Sequence, residues 1–315
     1  ASVATFIQVM ILAFPLSFQL KKESGFKSGK SPDLWPMIRM ALPNFVIQFG
    51  GQFGILILLN SGSNFPATIS HLTYAERFTQ LPYGFIATGL STVALPQFAS
   101  LLLNKDRQSL HQSIDRIFFL TFALAIPAAL ALIILAEPIV SVLFERGAFG
   151  EGDRIGTAMA LSGFAIGLPF AAIARVQMQL YFAHQRVRVP LLSVAFSTIL
   201  ILSLVQLPFF SQNTLGLALS FSLGQILLCV AQQVGLYPLN GWSANRVFWV
   251  KFFKVIMASG LMALALFVAN KNFGSNLIIE QVAFTRWVGL GIFCASGFGL
   301  YAVMIYFFGL GRYFR

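Results

Sequence analysis

Long apolar runs, separated by short polar links, make up most of this sequence. Each run is about as long as the 17–25 residues with which a helix crosses a bilayer. Only 10% of the residues are charged, whereas a soluble domain usually carries about 25%. The sequence therefore predicts an all-α, polytopic integral membrane bundle of about nine transmembrane helices. The expected spans lie near residues 1–20, 36–60, 70–101, 117–144, 155–183, 189–209, 213–237, 246–269 and 284–310.

Basic residues fall mainly on alternate links between these runs. One alternate set, together with the C-terminal tail, carries most of the 21 Lys and Arg residues. The positive-inside rule places that set, and with it the C-terminus, on the cytoplasmic side. The net charge of +11 is then explained by topology and by contact with anionic lipid headgroups. We expect no nucleic-acid partner, because no basic stripe lies on a soluble face.

Arg77 is the least expected residue in these spans. An ionisable side chain inside a membrane costs at least about 2.5 kcal/mol on insertion scales and persists where it faces a bundle interior or a water-filled cavity. Its helical neighbours Thr73 and Gln80 extend a polar face, and Glu76 adjoins it. A guanidinium offers a planar fork of donors that suits phosphate. We expect an anion-binding site here; the alternative is a structural Glu–Arg pair with Arg77 reaching toward the interface.

The second span carries Asn44, Gln48 and Gln52 at i, i+4 and i+8, a spacing that puts three amides on one helix face. They predict either a cavity wall or ordinary hydrogen bonds between helices. Arg175 is a second cation within a span, and either a binding role or extension toward the interface explains it. Pro82 and the glycine at 84 predict a bend in the third span.

Catalytic and metal-binding patterns are missing from the sequence. The three histidines lie in separate regions, and we identify no set with metal-ligand spacing. Cys229 and Cys294 lie in apolar runs and are expected to be small buried hydrophobes. We expect no cofactor, no metal and no enzymatic activity.

Three segments give a family resemblance. Residues 74–98 read Tyr-Ala-Glu-Arg-Phe-Thr-Gln-Leu-Pro-Tyr-Gly-Phe and continue to a second Leu-Pro. Residues 143–149 read Leu-Phe-Glu-Arg-Gly-Ala-Phe, and residues 181–190 read Tyr-Phe-Ala-His-Gln-Arg-Val-Arg-Val-Pro. In order and spacing these resemble the MurJ (MviN) lipid II flippases, although Arg186 stands where that family usually has an acid.

The resemblance implies a two-lobed fold of fourteen helices from the multidrug/oligosaccharidyl-lipid/polysaccharide exporter superfamily. Residues 1–20 would be the last helix of the first lobe, 21–35 a cytoplasmic linker, 36–237 the second six-helix lobe, and 238–315 two extra C-terminal helices. We therefore expect the chain to begin partway through a longer protein.

The resemblance also implies a function. Family members move lipid II, an undecaprenyl-pyrophosphate-linked sugar-peptide, across the bacterial cytoplasmic membrane. The essential arginine of the family's eighth helix falls on Arg77, with Glu76 in place of an Asp, and Arg175 aligns with a basic position on the tenth helix. We expect alternating access with Arg77 on the pyrophosphate, membrane lipids as further partners, and a monomer.

Other functions remain open. Another exporter of the same superfamily, either an O-antigen-type lipid flippase or a drug/cation antiporter, would share the fold; an antiporter would be expected to use carboxylates within the membrane, and Glu76 is the candidate. A membrane-embedded lipid-modifying enzyme would need a catalytic constellation. A membrane scaffold would not need Arg77 within a span. Loss of translocation without loss of assembly in an Arg77 variant separates a transporter from a scaffold.

Overall fold

The computed structural model describes residues 35–145, 147–242, 244–274 and 283–311, and side chains are described from Val46 onward with few exceptions. The chain divides into two units between Leu42 and Pro43, and the packing and sites described below lie within the second unit. The predicted first span at 1–20 and nearly all of the predicted linker fall outside the described residues.

The described chain is built from helices, with no strand in those ranges. In order they are α1 (Trp35–Gly62), α2 (Thr68–Tyr83), α3 (Gly89–Leu103), α4 (Arg107–Ile134), α5 (Ala136–Phe144), α6 (Glu151–Ala183), α7 (Arg188–Val205), α8 (Pro208–Ser211), α9 (Thr214–Asn240), α10 (Arg246–Gly274) and α11 (Ala283–Phe307). The all-α prediction is confirmed.

Seven helical stretches in the described residues are long and apolar enough to cross a membrane. They correspond to the third through ninth predicted spans, so a multi-pass helical membrane protein is established by length and composition. The count of nine stays a prediction. The stretches are Thr68–Leu103, Arg107–Ile134, Glu151–Ala183, Arg188–Val205, Thr214–Leu239, Arg246–Asn272 and Arg286–Phe307.

The fourth predicted span differs most from the structure. Helix α4 begins at Arg107, about three turns before the expected start at 117, because Asp106 caps it. The backbone N–H of Ser109 donates to the Asp106 carboxylate at 3.0 Å, and this hydrogen bonding holds the pKa of Asp106 below its usual value. A polar but well-capped first turn extends the helix beyond its apolar run.

Helices α2 and α3 form one long span with an irregular middle. A π-helical turn, Gly84–Thr88, joins them and follows Pro82, which lies inside α2. Proline lacks the N–H that a regular helix needs, and π-turns relieve such interruptions and often mark functional sites. The turn is thus widened at the place where the sequence predicts a bend, and the bend itself stays a prediction.

Helix α6 is the centre of the bundle and packs against α9, α4 and α2. Its closest approach to α9 uses two glycines, Gly163 and Gly167, because a Cβ at Gly163 would lie 2.6 Å from the Ala218 Cβ. The Ser222 hydroxyl donates to the Gly163 carbonyl at 2.6 Å and accepts from the Gly167 N–H at 3.1 Å. Small residues and interhelical hydrogen bonds are the usual means by which membrane helices associate.

Helices α10 and α11 attach to the outside of this bundle, chiefly along α4. The Tyr301 hydroxyl donates to the Ala123 carbonyl, and the Trp242 indole donates to Asp115 at 2.8 Å. Cys229 is buried as predicted, but Cys294 is exposed, so the expectation of burial was wrong for Cys294. An apolar run predicts insertion into a membrane, and it does not determine which face of the helix meets protein and which meets lipid.

Candidate functional site

A cavity of about 360 Å³ opens among the membrane-crossing helices, with walls from α1, α2, α6, α7 and α9. Apolar side chains form part of the wall, and polar groups project from four of the helices and from the π-helical turn. The polar and charged residues that line it are Gln52, Glu76, Thr79, Gln80, Tyr83, Thr88, Arg175 and Gln225. The cavity therefore brings together four of the residues that the sequence singled out: Gln52, Glu76, Gln80 and Arg175.

Helix α2 contributes four of these groups because Glu76, Thr79, Gln80 and Tyr83 recur at i, i+3, i+4 and i+7, which places them on one face. Glu76 is half-buried, and its carboxylate accepts a hydrogen bond from the Gln80 amide at 2.6 Å. The Thr79 hydroxyl donates to the backbone carbonyl of Ala75 at 3.0 Å. The cavity thus has an ordered polar wall along α2.

Helix α6 supplies the cation of the cavity. Arg175 is partly buried and lines the cavity, and its guanidinium is close enough to Tyr83 for a Coulombic interaction. Among the described lining residues, Arg175 is the positively charged group and Glu76 the negatively charged one. The cavity can therefore donate hydrogen bonds from the Arg175 guanidinium to a polar ligand and accept them at the Glu76 carboxylate.

Helix α1 contributes Gln52, whose side chain is exposed to the cavity. Asn44 and Gln48 lie on the same helix, at positions whose side chains are outside the described residues. The predicted amide face is thus represented by Gln52, and the roles of Asn44 and Gln48 stay predictions.

Arg77 and Thr73 lie beside this cavity rather than on its wall. Arg77 is exposed, on the side of α2 that carries Gln80 and Ser70 and faces away from the buried Ala75 and Leu72. The Thr73 hydroxyl donates a hydrogen bond to the Ile69 carbonyl at 2.7 Å.

The structure does not contain the Glu76–Arg77 ion pair that was the alternative explanation for this arginine. The ion pairs within 4.0 Å among the described residues join His71 to Asp153 and Arg154 to three glutamates, and none of them involves Arg77. Arg77 therefore presents an exposed guanidinium on a membrane-crossing helix, next to a polar cavity.

A second charged site surrounds Arg154 near the start of α6. Its side chain is only 9% exposed, and its guanidinium lies 3.4 Å from Glu137, 3.5 Å from Glu145 and 3.1 Å from Glu151. The Ser141 hydroxyl also donates to Glu145, at 2.5 Å. The density of charge and glycine between residues 144 and 154 was the signal that could have indicated it.

The same region holds the beginning of α2. The buried His71 ring contacts the Asp153 carboxylate through Nε2 at 3.0 Å. Aromatic rings lie next to it, with the Tyr74 and Phe144 centroids 4.5 Å apart and those of Tyr74 and Phe149 6.0 Å apart. The beginning of α2 is thus fastened to the α5–α6 link, while its middle lines the cavity. Within the described ranges no group of His, Cys, Asp and Glu could hold a metal ion.

Fold and site together define a multi-pass helical membrane protein with a charged cavity among its spans. The family model for "Lipid II flippase MurJ" matches residues 3–284, and the chain therefore belongs to the MurJ family. The resemblance found in the sequence is confirmed.

Individual relatives agree. The chain is 27% identical to a probable lipid II flippase MurJ of Rhizobium meliloti (strain 1021), over 91% of this chain and 54% of that protein. It is 31% identical to a protein of the same name from Rickettsia prowazekii (strain Madrid E), over 55% of this chain and 34% of that one. The chain thus spans about half the length of these curated relatives, or less.

A solved structure, described as lipid II flippase MurJ in an inward closed conformation, matches with a TM-score of 0.70 and 23% identity. The match covers 92% of this chain and 58% of that one. At this level of identity it supports the fold alone.

Proposed function

We propose that this protein acts in flipping lipid II, the lipid-linked peptidoglycan precursor, across the bacterial cytoplasmic membrane. The observation that carries the proposal is a cavity with an arginine, a carboxylate and amides among the membrane-crossing helices of a MurJ-family chain. The relatives are named as probable lipid II flippases, and a transporter rather than an enzyme fits that naming.

The physical need for such a cavity is clear. A pyrophosphate with a sugar-peptide head cannot cross about 30 Å of hydrocarbon exposed to lipid, because each unpaired polar group and above all each charge is costly there. We assign the pyrophosphate to Arg77, whose guanidinium is exposed beside the cavity, and a supporting role within the cavity to Arg175. Gln52 and Gln80 would then meet the head group or water, with Glu76 holding the Gln80 amide in place.

Transport would proceed by alternating access, in which one part of the protein moves against another and opens the cavity to each leaflet in turn. The π-helical turn directly after the polar segment of α2 gives that helix a place to bend. We further propose that the protein works as a monomer among membrane lipids, with its C-terminus in the cytoplasm, and that residues 36–237 and 238–315 serve as the second lobe and the two additional helices.

The test is the replacement of Arg77 in the complete protein, measured by a lipid II translocation assay in cells that depend on it. Arg77→Ala should abolish translocation, and Arg77→Lys should lose most of it, because an ammonium cannot form the two-pronged contact of a guanidinium. Arg188→Ala, which removes an exposed arginine at the start of α7, is the matched control and should retain activity. Normal translocation by Arg77→Ala at equal protein level would overturn the assignment.

Glu76 supports a second candidate, a cation-coupled exporter of the same superfamily. It is the carboxylate among the described residues of the cavity wall, the position that an ion-coupled antiporter would need. Glu76→Gln keeps the shape of the side chain and its contact with Gln80 but removes the charge. An antiporter should lose ion-coupled export in this variant, whereas a flippase that relies on Arg77 should keep most of its translocation rate.

A further inference from the structure

A second cavity, of about 380 Å³, lies where α10 begins and α11 ends. It is separate from the cavity of the proposed transport site, since different helices form it. Its lining residues are Arg246, Val247, Val250, Lys251 and Lys254 from α10, and Phe308, Gly309 and Leu310 after α11. We call it the basic pocket.

The sequence of α10 concentrates positive charge on one side of the helix. Arg246, Val250 and Lys254 follow one another at i, i+4 and i+8, and Lys251 lies on the adjoining row, so three cations share one face. At a rise of 1.5 Å per residue, Lys254 lies about 12 Å further along the helix axis than Arg246. The positive charge of the basic pocket is therefore spread along about two turns of α10.

The opposite wall of the pocket is fixed by the way α11 ends. The Gly309 N–H donates to the Tyr306 carbonyl and the Leu310 N–H to the Ile305 carbonyl, each at 3.0 Å, and Gly309 has a positive φ of 70°. This is the hydrogen-bond pattern of a Schellman motif. The Lys254 ammonium donates to the Phe308 carbonyl at 3.1 Å, which ties the two walls together.

Negative charge near the pocket is limited. From the packed neighbour α4, Asp115 is within electrostatic reach of Lys251, and its carboxylate already accepts the hydrogen bond from the Trp242 indole. Three cations against one carboxylate leave the described pocket with a net positive charge. The ligand that fits is an anion with several acceptor oxygens.

The position of the pocket points to a lipid as the source of that anion. Large aromatic side chains are exposed at the same ends of the two helices, namely Trp249, Phe253, Tyr306 and Phe307. Exposed Trp and Tyr side chains, here Trp249 and Tyr306, mark the headgroup level of a membrane. The positive-inside rule assigns this end to the cytoplasmic leaflet, and basic pockets between helices on that side are suited to anionic headgroups.

We propose that the basic pocket binds the phosphate headgroup of an anionic phospholipid, with Arg246, Lys251 and Lys254 as its ligands and the exposed apolar surface of α10 and α11 against the acyl chains. This lipid would stay bound to α10 and α11 and would not be the transported substrate. The proposal does not depend on what the transport cavity carries.

The test measures lipid binding to the full chain by native mass spectrometry, with titrations of phosphatidylglycerol and of phosphatidylcholine. Wild-type protein should bind phosphatidylglycerol with at least about tenfold higher affinity than phosphatidylcholine. Because each basic residue near a membrane surface contributes roughly fivefold, the variant Arg246→Gln/Lys251→Gln/Lys254→Gln should lose at least about tenfold in affinity for phosphatidylglycerol and change little for phosphatidylcholine. If the triple variant does not fold, Arg246→Gln/Lys251→Gln keeps the Lys254 contact with Phe308 and should still lose several-fold.

The matched control, Arg116→Gln/Arg186→Gln/Arg188→Gln, removes three exposed cations on the same predicted side but outside the pocket. It should keep its affinity for phosphatidylglycerol within about twofold. An equal loss in this control would mean a diffuse electrostatic effect and would overturn the proposal. Inorganic phosphate or glycerol phosphate should not displace the lipid at equal concentration; displacement would assign the pocket to soluble anions instead.

Discussion

Arg154 and Arg77 lie in two membrane-crossing helices of one bundle, and the surroundings of their charges differ. Arg154 is almost fully buried and has three carboxylates within 3.5 Å. Arg77 is exposed on α2 and has no ion pair within 4.0 Å in the described structure. A buried charge must be paired within the protein, whereas an exposed one is available to a guest. Their surroundings therefore distinguish Arg154, a structural residue, from Arg77, a candidate binding residue.

The largest expected change in stability concerns Arg154, the structural arginine of the two. Arg154→Ala leaves Glu145 half-buried and without its cation, and it releases the start of α6. We expect a loss of about 2–3 kcal/mol, below the 3–5 kcal/mol of a fully buried pair, because Glu137 and Glu151 are 54% and 75% exposed. Thermal unfolding of the purified protein in detergent measures it. A change below about 0.5 kcal/mol would show that the cluster around Arg154 is not structural.

A smaller effect should follow when the beginning of α2 is released. Asp153→Ala removes both the contact with His71 at 3.0 Å and the hydrogen bond that Asp153 accepts from the Gly150 N–H at 3.1 Å. Loss of a helix cap and of a partly exposed pair should cost about 1 kcal/mol. Asp106→Ala, which removes the cap of α4, provides a comparison without any contact to α2. Hydrogen exchange of the first turns of α2 should accelerate in Asp153→Ala and remain unchanged in Asp106→Ala.

The smallest expected change in stability belongs to Arg77→Ala. An exposed side chain away from caps and packed cores usually contributes within about 0.5 kcal/mol, so unfolding of this variant should match that of the wild type. Together with the loss of translocation proposed above, this gives a functional defect without a folding defect. A destabilisation as large as that of Arg154→Ala would place Arg77 among the structural residues and remove the contrast.

The sequence predicted the helices well because apolar length is a local property of the chain. It also predicted the polar side of α2, since helical periodicity places Thr73, Glu76 and Gln80 close together. It could not determine which part of that side faces α6, because this depends on how α2 and α6 pack. Glu76 and Gln80 therefore line the cavity, while Arg77 lies one step around the helix.

Tertiary packing also explains what the sequence missed. The charges between residues 144 and 154 are what a solvated turn would contain, and only the packing of α5 on α6 brings Glu137 to Arg154. The exposure of Cys294 has a similar cause, because the lipid-facing and protein-facing sides of α11 are almost equally apolar in sequence. Composition indicates the environment of a helix more readily than its orientation.

The π-helical turn at Gly84–Thr88 makes this one stretch of the helix tolerant of a change in length. A π-turn accommodates one more residue than the α-helical turn that it replaces, so deleting a single residue here would restore regular winding and leave the faces of α2 and α3 nearly in register. Each residue of a regular α-helix advances its face by about 100°, so the same deletion within α3 would instead turn Glu76 and Gln80 by that angle relative to the rest of the span. A family alignment should therefore place one-residue gaps in this turn more readily than in the regular helix on either side.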